Sequence, residues 1–508
     1  MAGNWNSKRA GDRIDQALKD VEKVEVKTLV SKSDVLNLPT NVAYKVDAAH
    51  IYIDLLNIYD MLGKDSETEQ KHRRALRFLN LHQRAVQVIL EDADAVKVDF
   101  HNQRLHAVVV LPLDDEAKRI NKAVTIGDSV IKLLKSVSDP DDPLPAAKVR
   151  VGIDSGMALA VNNGRRGSRE PLFLGNPANI AAKLAAGTGT ARTGIFVTSG
   201  ARKTAGLDVV EVEDQATTPL SKTEIEAAVA ASGLDIDIDD VLETWNDQLA
   251  DHPLKSFKFT RPTPPLSDFE AIFSEIGPAS SRRIEGVTFY ADIDGFTKFV
   301  ATHLDDEPEK VVRTLHVLRK ELHSVLNIDF DGMKVRFIGD CIHGQLAEGA
   351  ASTDREATVS TAVLAAGGMR SSFDLAKEKI GEIDELGLAI GFDLGYAAMS
   401  RLGIKGKRSR CSLGRATIQA EDEQKRCSGT ETALGSDAYS AGSKAVQDLF
   451  GKKRKKADLD YAAAVTALSD QGDSTAKAAV ARAMVTAPAY VKAASDYDAR
   501  PYSTPMRG

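Results

Sequence analysis

Two aspartates carry the chemistry-bearing pattern of this 508-residue chain. Asp292 ends an apolar, strand-like run in VTFYADIDGFTKF (287–299), just before a tight Asp294-Gly295 turn. Asp340 sits in a Gly-Asp turn between two strand-like runs in GMKVRFIGDCIHGQL (332–346). An antiparallel strand pair would bring the two carboxylates together, and such a pair is suited to hold divalent cations around a nucleoside triphosphate. Either residue alone reads as an ordinary turn aspartate. The pair gains weight from what the rest of the chain repeats.

The architecture around the two aspartates follows from the whole chain. Its length implies two or three domains, and 43% hydrophobic with 27% charged residues is ordinary globular composition. A net charge of −7 argues against a general nucleic-acid binder, so no nucleic-acid partner is expected. The basic run GKKRKK (451–456) reads as a solvated loop. Cys341, Cys411 and Cys427 show no C-x-x-C spacing, which fits a reducing compartment and argues against a zinc site. No apolar run approaches the roughly 20 residues that span a bilayer. The N-terminus MAGNWNSKRAGDR lacks the apolar core of a signal peptide. The expectation is a cytoplasmic protein without a membrane partner.

Residues 1–42 form a polar arm with one amphipathic piece, RIDQALKDVEKVEV. From 43 to 262 the pattern reads β-α-β-β-α-β-β-α-β followed by a helical elaboration from 207, with SFKFTRP as a closing strand. A Pro/Ser-rich connection covers 263–283. The pattern then restarts over 284–435, and 436–508 is an Ala-rich helical extension whose last residues, 498–508, read as disordered. The two halves keep register. Asp54 matches Asp292 at a shift of 238, Gln103 matches Asp340 at 237, and the Gly-x-Asp-x-Gly segments at Gly152 and Gly391, read as strand-turn-strand, match at 239. Gly175 and Gly414, each before the last helix, also match at 239. The chain reads as a tandem duplication of one α+β domain.

The second half resembles the catalytic domain of class III nucleotide cyclases. The resemblance rests on F-x-A-D-I-x-G-F-T (289–297), K-x-x-x-I-G-D (334–340) and G-F-D-L-G (391–395), and extends more faintly over 45–205. It implies tandem ferredoxin-like domains packed head to tail, with the active site between them. It further implies that Asp292, Asp340 and the carbonyl of Ile293 hold two Mn²⁺ or Mg²⁺ ions. Phe296, in the same motif, is expected at the substrate. The first half keeps Asp54 but has Gln103 at the second position, and a neutral amide is a poor ligand for these ions.

The partner domain of this family supplies an Asn that orients the ribose and an Arg that stabilises the transition state. The matching first-half positions are Asn179 and Lys183, while the second half has Ile418 and Asp422. Lys keeps the charge of Arg but loses its fork geometry. One composite site is therefore expected, with its mirror image dead. The base-reading positions hold Asp99 and Leu172 in place of the Lys and Asp of adenylate cyclases. An acidic Asp99 accepts from cytosine N4, uracil N3–H or the guanine N1/N2 edge. This profile is most similar to the bacterial pyrimidine cyclases of Pycsar antiphage defence, which make cyclic UMP or cyclic CMP for a nucleotide-sensing effector. Lys405, Lys407 and Arg408, in a loop before Gly414, are candidate triphosphate contacts, against the plainer reading of a solvated basic loop.

The expected activity is cyclisation of UTP or CTP. The rivals are a guanylate or adenylate cyclase with an atypical pocket, and a nucleotide-binding regulatory pseudo-cyclase. The halves could pair within one chain, since a linker of about 20 residues is long enough as a random coil, or between the chains of a homodimer.

Overall fold

Each half is organised around one long strand with two different faces. The computed structural model describes residues 4–486, apart from residue 37 and segments 64–66, 138, 140–142, 163–170 and 188–191. The tail expected to be disordered lies outside the described residues.

Helix α1 (Ser7–Asp20) and strand β1 (Glu25–Thr28) lead into β2 (Val42–Leu55), the central strand of the first half. Next come α2 (Glu69–Asp92), β3 (Val96–His101), β4 (Arg104–Val109), α3 (Glu116–Ser136) and β5 (Val149–Asn162). The half continues with β6 (Pro171–Leu174), α4 (Asn176–Ala186) and β7 (Gly194–Val197), then α5 (Lys222–Ser232) and α6 (Ile238–Asp251). Its sheet runs β3-β4-β2-β5-β6, with β7 beside β5 and β1 beside β2.

The second half opens with β8 (Phe259–Thr260) and repeats the plan from β9 (Ser281–Asp294). It continues with α7 (Phe296–His303), α8 (Pro308–Ser324), β10 (Met333–Ile338), β11 (Cys341–Leu346), α9 (Arg355–Ile380) and β12 (Gly387–Leu402). After these come β13 (Ser409–Leu413), α10 (Arg415–Lys425), β14 (Glu431–Leu434), β15 (Lys455–Ala457), α11 (Tyr461–Asp470) and α12 (Ser474–Thr486). Its sheet runs β10-β11-β9-β12-β14-β15, with β13 beside β12 and β8 beside β9. The two sheets share one topology, as the sequence register predicts, except for β15, which extends the second sheet beyond β14.

Strand periodicity decides which residues face chemistry. On β9, Val287, Phe289, Ala291 and Ile293 point into the core beneath α8 and α9, with Leu315, Leu318 and Val363. Each such fully buried Leu, Ile or Phe side chain contributes about 1.5–3 kcal/mol. The alternate residues, Thr288, Tyr290 and Asp292, lie on the opposite face. On β2 the same split puts Ile51, Ile53 and Leu55 under α2 and α3 and leaves His50, Tyr52 and Asp54 on the other face. The two polar faces meet where the hairpins touch. Asn102 Nδ2 donates to the Ser412 carbonyl at 3.0 Å, and Arg336 Nη1 donates to the Phe100 carbonyl at 2.8 Å.

Two sequence expectations change here. The Gly-x-Asp-x-Gly segments are not turns, because β5 and β12 run unbroken through them. Their glycines serve a close approach: a Cβ at Gly152 would stand 2.2 Å from the Ala181 carbonyl oxygen, and one at Gly391 would stand 2.1 Å from the Gln424 nitrogen. Only glycine lets α4 and α10 cross these strands so tightly. SFKFTRP closes no first-half sheet either: β8 pairs in parallel with β9, Phe259 opposite Ser281.

Both ends of the described residues pack on the second half. Ile14 and Ala17 of α1 join its core, and Arg13 bridges Glu321 at 2.6 Å and Asp329 at 2.8 Å. Because β1 then pairs with β2, the N-terminal arm ties one half to the other. At the far end, Ala464, Leu468, Ala476 and Ala479 are buried in the same core. Asp473 accepts from Ser360 Oγ at 2.6 Å and Ser443 Oγ at 2.7 Å. Among the described residues, no helix is long and apolar enough to cross a membrane.

Candidate active site

A cavity of about 250 Å³ opens between the halves, walled by both. Strand register fixes its acidic end. Ile342 pairs with Ala291 on the neighbouring strand, so Asp340, at the turn before β11, falls beside Asp292 near the end of β9. Both carboxylates line the cavity. They are deep in the protein yet open to this space, and burial pushes both above the usual carboxylate range. For Asp292 the nearby Asp294 adds to the rise, and for Asp340 the Asp292 charge does. Two half-buried oxygen-ligand acids that cannot both ionise comfortably form a donor set suited to hard divalent cations. Ile293 puts its side chain into the core, so only its backbone carbonyl is available for such an ion.

The first half provides the other wall. Asn179, on α4, donates from Nδ2 to Thr297 Oγ1 across the halves at 3.0 Å. Leu172 on β6 and Asp99 on β3 also line the cavity, as does Phe296 at the start of α7. Asp99 is paired with Arg336 of β10. That guanidinium is fully buried and also donates to the Phe100 and Arg410 carbonyls. The carboxylate expected to meet the base is therefore anchored from the opposite half.

Four residues expected at the substrate do not reach the cavity wall. Lys183 is exposed, one turn beyond Asn179 on α4. The loop carrying Lys405, Lys407 and Arg408 packs outward instead, against α2. Gly403 N donates to Asn80 Oδ1 at 2.8 Å, and Lys407 pairs with Glu91 at 2.5 Å. Arg408 turns back to the Gly403 carbonyl at 3.2 Å, and Lys405 is exposed. The physical reason is the length of the β12–β13 hairpin, which carries its basic tip past the cavity and onto α2 of the first half.

Two curated relatives, both uridylate cyclases, align along most of the chain. One from Pseudomonas aeruginosa is 48% identical over 503 residues, covering 97% of each chain. Another, from a Rhizobium species, is 39% identical over 437 residues, covering 82% of each. The chain belongs to the uridylate cyclase family. Among solved structures, a class III adenylyl cyclase-like ATP-binding protein from Pseudomonas aeruginosa superposes with a TM-score of 0.88 at 48% identity, over 92% of this chain and 100% of that one. No family model matches. The protein is thus a nucleotide cyclase with tandem class III cyclase domains packed head to tail.

In this cyclase the mirror-image position is built differently. Asp54 Oδ2 accepts from Arg104 Nε at 3.3 Å, and Arg104 Nη1 reaches Glu421 of α10, also at 3.3 Å. Gln103 Nε2 donates to the Tyr59 hydroxyl at 2.6 Å. Burial raises Asp54 to about 6, with Arg104 opposing the rise. A guanidinium of the chain thus stands against the single retained carboxylate, and Ile418 packs into the apolar core of the first half.

Sequence reasoning missed a second repeated feature. Tyr52 stacks on His106, with ring centroids 4.1 Å apart and planes 13° apart, and Tyr290 stacks on His343 at 4.5 Å and 11°. Each pair is directly opposed across neighbouring strands. The signal was present: Tyr290 follows Tyr52 by 238 residues and His343 follows His106 by 237, the same shifts as the aspartate positions.

Proposed function

We propose that this protein converts UTP to cyclic 3′,5′-UMP and pyrophosphate at one composite site between its two halves. The observation that carries the proposal is the convergence of Asp292 and Asp340 from one half with Asn179 from the other on a single cavity. The uridylate cyclase relatives, aligned over nearly the whole chain, support the choice of base.

In the reaction the 3′-oxygen bonds to the α-phosphorus, the bond from that phosphorus to the α–β bridging oxygen breaks, and the 3′-hydroxyl proton leaves to solvent or base. Asp292, Asp340 and the Ile293 carbonyl would hold two Mn²⁺ or Mg²⁺ ions. When bound, such ions acidify the attacking hydroxyl and neutralise charge building on the phosphates. Asn179 orients the ribose, exchanging its bond to Thr297 for one to the sugar. Phe296 and Leu172 form the apolar walls, and Asp99 faces the base. The walls exclude water, which strengthens every charge interaction inside them. Lys183 has no part in this arrangement as it stands, and neither do Lys405, Lys407 and Arg408.

Because both walls come from one chain, a monomer suffices. The product then acts as a second messenger in antiphage defence, through an effector that senses the cyclic nucleotide. The resemblance to the Pycsar cyclases supports this role, and a cytoplasmic location agrees with it.

The test is to incubate the purified protein with Mn²⁺ and each of UTP, CTP, ATP and GTP separately, and to identify products by mass spectrometry. Cyclic UMP with equimolar pyrophosphate is expected. Cyclic AMP or cyclic GMP as the sole product would overturn the pyrimidine assignment.

A further inference from the structure

The base end of the cavity holds a polar arrangement that the reaction itself does not require. Asp99 on β3 and His106 on β4 are direct cross-strand partners, and both line the cavity. Each is fixed from behind. Arg336 holds the Asp99 carboxylate, which keeps it an acceptor. His106 is held on its other side by His50, whose Nδ1 lies 3.2 Å from His106 Nε2. The Tyr52 ring stacks on the His106 ring, and Phe173 meets His50 edge-on, with centroids 5.6 Å apart.

The tautomer follows from the burial pattern. Both histidines are enclosed, and burial keeps both rings neutral, lowering His50 to about 3 and His106 well below its ordinary value. One proton therefore lies between them. If His106 donated from Nε2, His50 would carry its own proton on Nε2, which is buried with no partner among the described residues. An orphaned buried N–H is a rarer and costlier defect than a bare acceptor lone pair. His50 Nδ1–H is thus the donor, His50 Nε2 is the bare acceptor, and His106 carries its proton on Nδ1. The base end offers one fixed acceptor beside one fixed donor.

We propose that Asp99 and His106 select uracil over cytosine, with Asp99 accepting from uracil N3–H and His106 Nδ1–H donating to an adjoining ring carbonyl. Uracil presents acceptor, donor, acceptor along O4, N3–H and O2. An acceptor–donor pair therefore matches it in either direction from N3. Cytosine presents a bare N3, which would face the carboxylate lone pairs. It can satisfy the pair only by sliding one ring position to bring N4–H to Asp99, and the stacked rings and the anchored carboxylate resist that slide. His50 is a positioning residue, setting the His106 tautomer without reaching the base. The assignment rests on the pyrimidine reading above and adds to it the groups that choose between the two pyrimidines.

The test compares kcat/KM for UTP, CTP and 3-methyl-UTP, whose N3 cannot donate. The unmodified protein should use 3-methyl-UTP about 10- to 100-fold less well than UTP, the cost of an unpaired polar group in a reading pocket. This arm needs no variant and so no question of folding arises. Asp99→Asn should lower the UTP-to-CTP preference at least about tenfold and shrink the 3-methyl penalty. His106→Phe, which keeps the stack but removes the donor, should lower UTP use more than CTP use. His50→Phe should move the UTP-to-CTP ratio the same way, whereas a merely structural role would lower both nucleotides together. Equal use of UTP and 3-methyl-UTP, or a parallel loss of UTP and CTP in all three variants, would overturn the assignment while leaving cyclic UMP formation intact. A protein that cyclises only a purine nucleotide would overturn the pyrimidine reading and this assignment with it.

Discussion

Two strand ends with one ancestry, Asp292/Asp340 and Asp54/Gln103, show how little sequence separates a cation site from a clamp. The folds around them share topology apart from β15, and the Tyr-His stacks beneath them are alike in ring distance and tilt. The difference lies in two positions. Where the second half has Asp340 followed by Cys341, the first has Gln103 followed by Arg104. Exchanging the second carboxylate for an amide removes the mutual repulsion that calls for cations. The arginine then supplies a permanent positive charge in their place, joined to Asp54 and, across the halves, to Glu421. One copy is left open for substrate and the other fastens the two halves together.

Breaking the open copy should have the largest effect. Asp340→Ala should lower kcat by at least about 1000-fold, several kcal/mol of transition-state stabilisation, with an unchanged circular dichroism spectrum. Breaking the clamp should act on stability instead. Arg104→Ala leaves Asp54 without its partner and Glu421 with only Lys425, at 2.6 Å, and should cost about 3 kcal/mol in urea unfolding. If Arg104→Ala left stability untouched, the clamp reading of the mirror position would fail.

The matched acids Asp154 and Asp393 form a second such pair. Burial raises Asp393 to about 7, despite backbone N–H donors at Leu394 and Ala438, and raises Asp154 to about 6, where Thr198 Oγ1 donates. A carboxyl whose folded pKa is raised binds more protons folded than unfolded. Stability is therefore lost as pH rises from the unfolded value near 4 toward 7. Between pH 5 and 8 Asp393 alone should account for about 2–3 kcal/mol of lost stability, at about 1.4 kcal/mol per unit. Asp393→Asn should flatten the dependence by that amount in denaturant titrations at the two pH values.

The smallest pair of effects separates neighbours on α4. Asn179→Ala should lower kcat/KM by about 10- to 100-fold, as expected for a lost positioning bond. Lys183→Ala, one turn on and exposed, should change it by less than about threefold, within the range of an ordinary surface substitution. Equal losses would show that Lys183 moves into the site during turnover.

The duplication was legible because register is a long-range property: four landmarks at nearly one shift mark matching elements whatever fills the space between them. Asp292 and Asp340 were legible because a strand end followed by a turn is a local pattern. Gly152 and Gly391 were misread as turn residues because glycine signals both a turn and a close helix crossing, and only packing tells these apart. The basic loop at 405–408 was misplaced for a related reason, since its charge was visible but the reach of its hairpin was not. Arg336 could not be tied to Asp99 at all. They lie in different halves, and no spacing within either one encodes how the two faces dock.

Whether one chain builds the whole composite site is decided by complementation. Asp340→Ala chains and Asn179→Ala chains are each assayed alone and then mixed in equal amounts, with cyclic UMP as the readout. Each chain carries one intact wall and one broken wall of the same cavity, so the mixture should make no more product than the sum of its parts. Recovery of activity on mixing would show that working sites form between chains, and would contradict the account.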